Sequence, residues 1–304
     1  MTETIGDNMM YGFTVQNWKA KVLEGMVNLT HLGEEFSLVE DSFGYDEQRG
    51  TACVADGVRR DFKDGSVVAI NPKNIMKFLN EEYPNPSPAK EVADDYVRMF
   101  MQGKSPTEIN KAIWEYQQKK GLVPTDYLAK DLAGCTFAGV FRLTNRFFSY
   151  TFMNAAGIAV IDKKGNLMFK TPDDGEHSFE KNPYLEKILE QHGGFACQEG
   201  RRLIRSQYRN KPNEPFAYGA LTGEPEALYY VHDGHEEIET GNYILLFTDG
   251  IRDLLFPRSE GEREPDSIDE KYVAKILAGD ANGLRGLCRK NVSTEGTLIV
   301  WEIK

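Results

Sequence analysis

Carboxylates recur at the ends of apolar stretches in this chain, and that placement defines the chemistry open to it. Glu40-Asp41 stands at one such end, and Ala52-Cys53-Val54-Ala55 closes on Asp56-Gly57. Between them Tyr45-Asp46-Glu47-Gln48-Arg49-Gly50 is a polar turn ending in glycine. This predicts a hairpin whose strands, residues 39–42 and 52–57, deliver acids to the same end. An aspartate at the tip of a buried strand is either a turn-former or a ligand. Far downstream Tyr243-Ile244-Leu245-Leu246-Phe247-Thr248 again runs into Asp249-Gly250. One copy alone fits a turn. Two copies, with Glu40-Asp41 beside the first, point to carboxylates gathered at one sheet edge around hard divalent cations.

The rest of the chain must supply the elements that hold those acids. Its 304 residues, 40% hydrophobic and 11% aromatic, are enough for a sizeable core in one large domain or two small ones. Lysine plus arginine number 36 against 47 acids, a formal net charge of −11, which disfavours nucleic acid as a partner and leaves no polybasic patch for a membrane. Cys53, Cys135, Cys197 and Cys288 are scattered without a Cys-x-x-Cys pair, which reads as reduced core thiols in a cytoplasmic protein and argues against zinc. Residues 1–19 lack the apolar core of a signal peptide, and no run approaches membrane-spanning length, so the expectation is a soluble intracellular chain. His31, His177, His192, His232 and His235 form no metal-binding pattern, and the His232–His235 stretch reads as a surface turn. No phosphate-cradling glycine loop and no nucleophile elbow is present.

Periodicity predicts helices at 74–83 and 89–101, separated by a proline-rich run. Ser105-Pro106-Thr107-Glu108 has the form of a capping box and predicts a helix to about residue 120. Strands are expected at 67–70, 134–141, 146–152, 158–161 and 167–169, the last pair joined by a turn at 163–166, as an antiparallel meander. Further along, a helix is expected at 183–192, a basic loop or flap at 193–215, a strand at 227–231, an acidic turn at 232–239 and a strand at 243–247. Helices at 268–278 and 282–290 and a strand at 297–303 complete the reading. With no βαβ alternation, this is an α+β class of antiparallel sheets covered by helices.

The acidic pair, the strand ending Ala55-Asp56-Gly57, Gly134-Cys135-Thr136, Phe247-Thr248-Asp249-Gly250-Ile251-Arg252-Asp253 and the closing Thr297-Leu298-Ile299-Val300 strand occur in an order that resembles the type 2C family of metal-dependent protein phosphatases. The resemblance runs from about Gly33 to Glu302, carried by four or five short blocks, and residues 152–157 and 219–225 are similar to its bacterial branch. It implies a single domain over 1–304, with a central antiparallel β-sandwich flanked by helices. It also implies a serine/threonine phosphatase that hydrolyses phosphoesters of a phosphorylated protein substrate with water activated by two ions, Mn2+ or Mg2+. Asp56 matches the aspartate that bridges the ions, Gly57 the carbonyl ligand, Glu40 and Asp41 the acidic pair, Asp249 the second Asp-Gly ligand and Asp253 an aspartate behind it. Asp56 and Asp249 are thereby the catalytic candidates.

Departures from the family pattern are equally specific. Thr294 stands where a metal-binding aspartate is usual, and Glu295, one position on, is the candidate replacement. Phe36 stands where many members carry a phosphate-binding arginine, leaving Arg59 and Arg60 as candidate phosphate receptors. Ala155 or Ala156 falls at a third-metal aspartate and Val58 at a histidine general acid. These losses keep a second class of function open, a pseudophosphatase acting as a binding or regulatory module.

Overall fold

A computed structural model of the chain describes residues 9–16, 21–23, 26–28, 40–58, 88–121, 123, 132–141, 144, 146–175, 182–191, 198–258, 265–292 and 295–304. Two five-stranded antiparallel sheets lie face to face. One runs in the order β1 (Met9–Gln16), β12 (Glu295–Glu302), β11 (Tyr243–Phe247), β8 (Gly157–Ile161), β9 (Leu167–Lys170). The other runs β10 (His232–Glu237), β7 (Phe147–Met153), β6 (Cys135–Phe141), β5 (Thr51–Gly57), β4 (Ser42–Asp46). A separate ribbon pairs β2 (Lys21–Leu23) with β3 (Met26–Asn28).

The period-2 geometry of a strand explains why central strands read as unbroken apolar runs. In β11, Ile244 and Leu246 pack between the sheets with Val54, Ala138, Phe152 and Trp301. Its alternate residues Leu245 and Phe247 face outward, against Ile251, Leu255, Tyr272 and Leu284. Those outer residues come from α5 (Asp249–Leu255), α6 (Glu270–Leu277) and α7 (Ala281–Asn291). On the opposite side α1 (Pro88–Met101) and α2 (Pro106–Lys119) cover Cys53, Ala55 and Phe137 with Tyr96, Phe100 and Ile113. The result is the α+β sandwich with flanking helices that the sequence implies.

Local signals held where the responsible contacts are local. The 42–57 hairpin forms in the register Ser42↔Ala55, with Gly50 at φ 61° closing its turn; Glu40 and Asp41 precede the first strand rather than lie in it. The Ser105/Glu108 capping box is present on both sides. Differences arise where tertiary pairing decides. The expected basic loop contains helix α4 (Gln198–Tyr208), because Ile204 and Tyr208, one turn apart, pack on Leu185 and Ile188 of α3 (Leu185–Gln191) while Arg202 and Arg205 stay partly exposed. The expected strand at 227–231 is a 3-10 helix, Pro225–Tyr230, entered through proline. The acidic turn at 232–239, with its two histidines, is instead β10, an edge strand whose polar residues face solvent. The expected meander is two hairpins, since the chain leaves one sheet after β7 and enters the other at β8 through Asn154 at φ 61°. The elements expected at 67–70 and 74–83 lie outside the described residues.

Candidate metal centre

Three chain segments meet at one end of the sandwich. Asp56 is the penultimate residue of β5, Asp41 lies just ahead of β4, and Glu295 opens β12. Each places one carboxylate oxygen so that the three lie within 4.8 Å of one another. Relative exposures of 2% for Asp41, 9% for Asp56 and 3% for Glu295 put this acidic cluster almost out of water. Glu295 also positions its neighbour, since the Glu40 backbone N–H donates to its Oε2 at 2.9 Å across 255 residues of sequence. Glu40 itself is buried beside them.

Like charges at this spacing repel, and burial removes the water that would screen them. The Asp41 carboxyl is accordingly pushed up to about 7, first by burial and then by the Asp249 charge, while hydrogen bonds from Thr248 and Thr297 pull the other way. The Asp56 carboxyl faces it too, and the pair can share a hydrogen bond only if one of them keeps a proton. Asp41 Oδ1 is buried with no hydrogen-bond partner among the described residues. An orphaned buried oxygen inside an all-oxygen cluster fits a hard divalent cation, which would both partner Oδ1 and neutralise the excess charge.

Close approach at this end depends on two glycines. A Cβ on Gly57 would stand 2.8 Å from the Ala89 carbonyl oxygen and 3.0 Å from Glu40 Cβ, so glycine here lets the strand tip pass beneath α1. A Cβ on Gly250 would stand 1.9 Å from the Glu295 carbonyl oxygen, so the start of α5 can lie against the start of β12 only as glycine. Asp249 occupies the exposed first turn of α5, outside the three-carboxylate group but close enough for its charge to raise both Asp41 and Asp253. Asp253 is pushed up to about 6, by partial desolvation first and Asp249 next, with Arg258 and Arg252 opposing.

The remaining expected residues divide. The Val58 backbone N–H is tied to the Gly134 carbonyl at 2.8 Å. Ala155, one of the two candidates for the third-metal position, offers its carbonyl to the buried Arg252 guanidinium at 3.2 Å. Phe36, Arg59, Arg60 and Thr294 lie outside the described residues. What sequence reasoning passed over is a row of threonines: Thr14 pairs with Thr297 between β1 and β12, and Thr248, directly after β11, lies beside Thr297. Thr248 and Thr297 stood inside the quoted motif blocks, yet only strand register shows that they adjoin.

No protein-family model and no curated protein sequence matches the chain. Solved structures match by shape. A bacterial serine phosphatase superposes with a TM-score of 0.52 at 13% identity, covering 98% of this chain and 98% of that one. The serine/threonine phosphatase Stp1 from Staphylococcus aureus superposes with a TM-score of 0.51 at 13% identity, covering 100% of this chain and 98% of its own. The fold is therefore that of bacterial serine/threonine phosphatases, as the type 2C resemblance implies.

Proposed function

We propose that this chain is a metal-dependent serine/threonine protein phosphatase. The observation that carries the reading is the meeting of Asp41, Asp56 and Glu295, buried and mutually repulsive, at one end of a fold shared with known phosphatases. Asp56, Asp41 and Glu295 would hold two divalent cations together with the Gly57 carbonyl, Asp249 and Glu40, and the oxygen-only set suits Mn2+ or Mg2+. Such ions, when bound, lower the pKa of water and neutralise charge on phosphoryl oxygens. The chain's own part is to fix the acids before substrate arrives, through the Glu295–Glu40 hydrogen bond and the two glycine contacts. Arg59 and Arg60, which follow the end of β5, would receive the phosphate of a phosphorylated protein. Buried thiols at Cys53, Cys135 and Cys288, free of disulfides, support a reducing cytoplasmic setting. Among the described residues no helix is long and apolar enough to cross a membrane.

Hydrolysis of a phosphoserine peptide with increasing manganese tests the reading. Turnover that saturates with manganese and vanishes in D56N is expected. A folded protein with no turnover above background at any manganese concentration would overturn it in favour of a binding module.

A further inference from the structure

We infer that Thr248 is the positioning residue of this centre, its hydroxyl fixing the direction in which Asp41 presents its carboxylate; the inference rests on the metal reading above. Thr248 is the N-cap of α5, where a threonine hydroxyl ordinarily accepts a hydrogen bond from the first turn of its helix. Here no such side-chain cap bond is made. The hydroxyl is instead completely buried, accepts the Thr297 backbone N–H at 2.8 Å and donates to Asp41 Oδ2 at 2.7 Å.

That pair of bonds removes the freedom of the rotor. A backbone N–H can only donate, so the Thr248 oxygen must accept from it, leaving its single proton for the carboxylate. The Thr297 hydroxyl, also fully buried, lies beside the same Asp41 carboxyl and shares a 2.7 Å hydrogen bond with the Thr14 hydroxyl. Thr248, just past the end of β11, thus holds Asp41 by Oδ2, leaving Oδ1 without a hydrogen-bond partner among the described residues. Burying the Thr248 and Thr297 hydroxyls has a desolvation cost that valine, of nearly the same shape, would avoid. Holding Asp41 is what the Thr248 hydroxyl does that valine cannot.

The test compares wild type with T248S, which keeps the hydroxyl, and T248V, which keeps the shape. Manganese affinity is read by titration calorimetry and by the rise in melting temperature, with no substrate present. T248V is expected to bind manganese about tenfold or more weakly, the loss that follows from one hydrogen bond to a charged group, while T248S stays within about threefold of wild type. Equal affinity in T248V and wild type would overturn the inference alone, and so would a T248S protein as weak as T248V, which would assign the effect to the methyl group. A wild type that binds no manganese would overturn the metal reading and this inference with it. Should T248V fail to fold, T14V removes the outermost hydroxyl at a partly exposed position. A few-fold loss of affinity there supports the row, and none overturns it.

Discussion

Replacing Gly250 by alanine tests whether the start of α5 and the start of β12 must touch for the centre to exist. The added Cβ would lie 1.9 Å from the Glu295 carbonyl oxygen and 3.2 Å from Val292 Cγ2. Non-bonded heavy atoms settle at about 3.5 Å, so the two elements must separate by more than about 1 Å. Both carry site groups: Thr248 and Asp249 at the head of α5, Glu295 at the head of β12. Overpacking of this kind costs about 1–3 kcal/mol, equivalent to a fall in melting temperature of about 2–10 °C for a chain of this size. Displacing one carboxylate by an ångström should also weaken manganese binding about tenfold. Gly286 is the internal control. It lies on the exposed side of α7 with nothing within 4 Å of a Cβ, so G286A should stabilise by about 0.5–1 kcal/mol through helix propensity. Thermal unfolding in chelator and manganese titration of both variants decide the matter. A G250A protein that melts and binds like its parent would refute the claim that this approach is obligatory.

Three further outcomes are expected. D56N should melt at or above the parent in chelator, because one of the clustered charges is gone, yet gain far less from millimolar manganese; equal losses in both conditions would make Asp56 a structural residue only. Arg252 is 1% exposed and donates to the Thr171 and Ala155 carbonyls at 2.7 and 3.2 Å, so R252M should lose about 3 kcal/mol in urea unfolding, and an unchanged midpoint would contradict that role. Glu108 has its carboxyl lowered to about 2, first by Lys104 and then by Ser105. A folded value below the unfolded one means stability present above about pH 4.5 and lost as pH falls toward 2. The melting difference between wild type and E108A should therefore close over that window, and a pH-independent difference would show that Glu108 acts without its charge.

How far the sequence reached depended on how local each cause is. The second strand of the hairpin and the Ser105 cap were readable because their partners lie within a few residues, while the first strand formed at 42–46, into the stretch expected as turn. Strand β11 was readable because burial on both faces leaves an unbroken apolar run. Strand β10 was not, since His232, Glu236 and Glu237 are strand residues only through pairing with β7. Helix α4 was hidden because its three arginines match its three apolar residues in number and mask their spacing. In the site, Asp41, Asp56 and Glu295 were nominated by motif order, and the structure brings these three together. Asp249 stands just outside them. The threonine row left no periodic trace, because its members adjoin through a register between strands up to 283 residues apart.

That same register governs when the centre can come into being. The hydrogen bonds Thr14–Thr297, Glu40–Glu295 and Thr248–Asp41 span 283, 255 and 207 residues. Each requires closing a loop of most of the chain, an entropic toll collected before any contact repays it. Strand β12 slots between β1 and β11, so a nascent chain that has not yet delivered β12 has neither a finished sheet nor a third carboxylate. Half-made molecules therefore lack the assembled carboxylate group, and, on the metal reading, cation-binding competence should arrive in the same kinetic phase as amide protection in β12. Pulsed hydrogen exchange during refolding, run beside a manganese-binding signal, would expose any lag between the two.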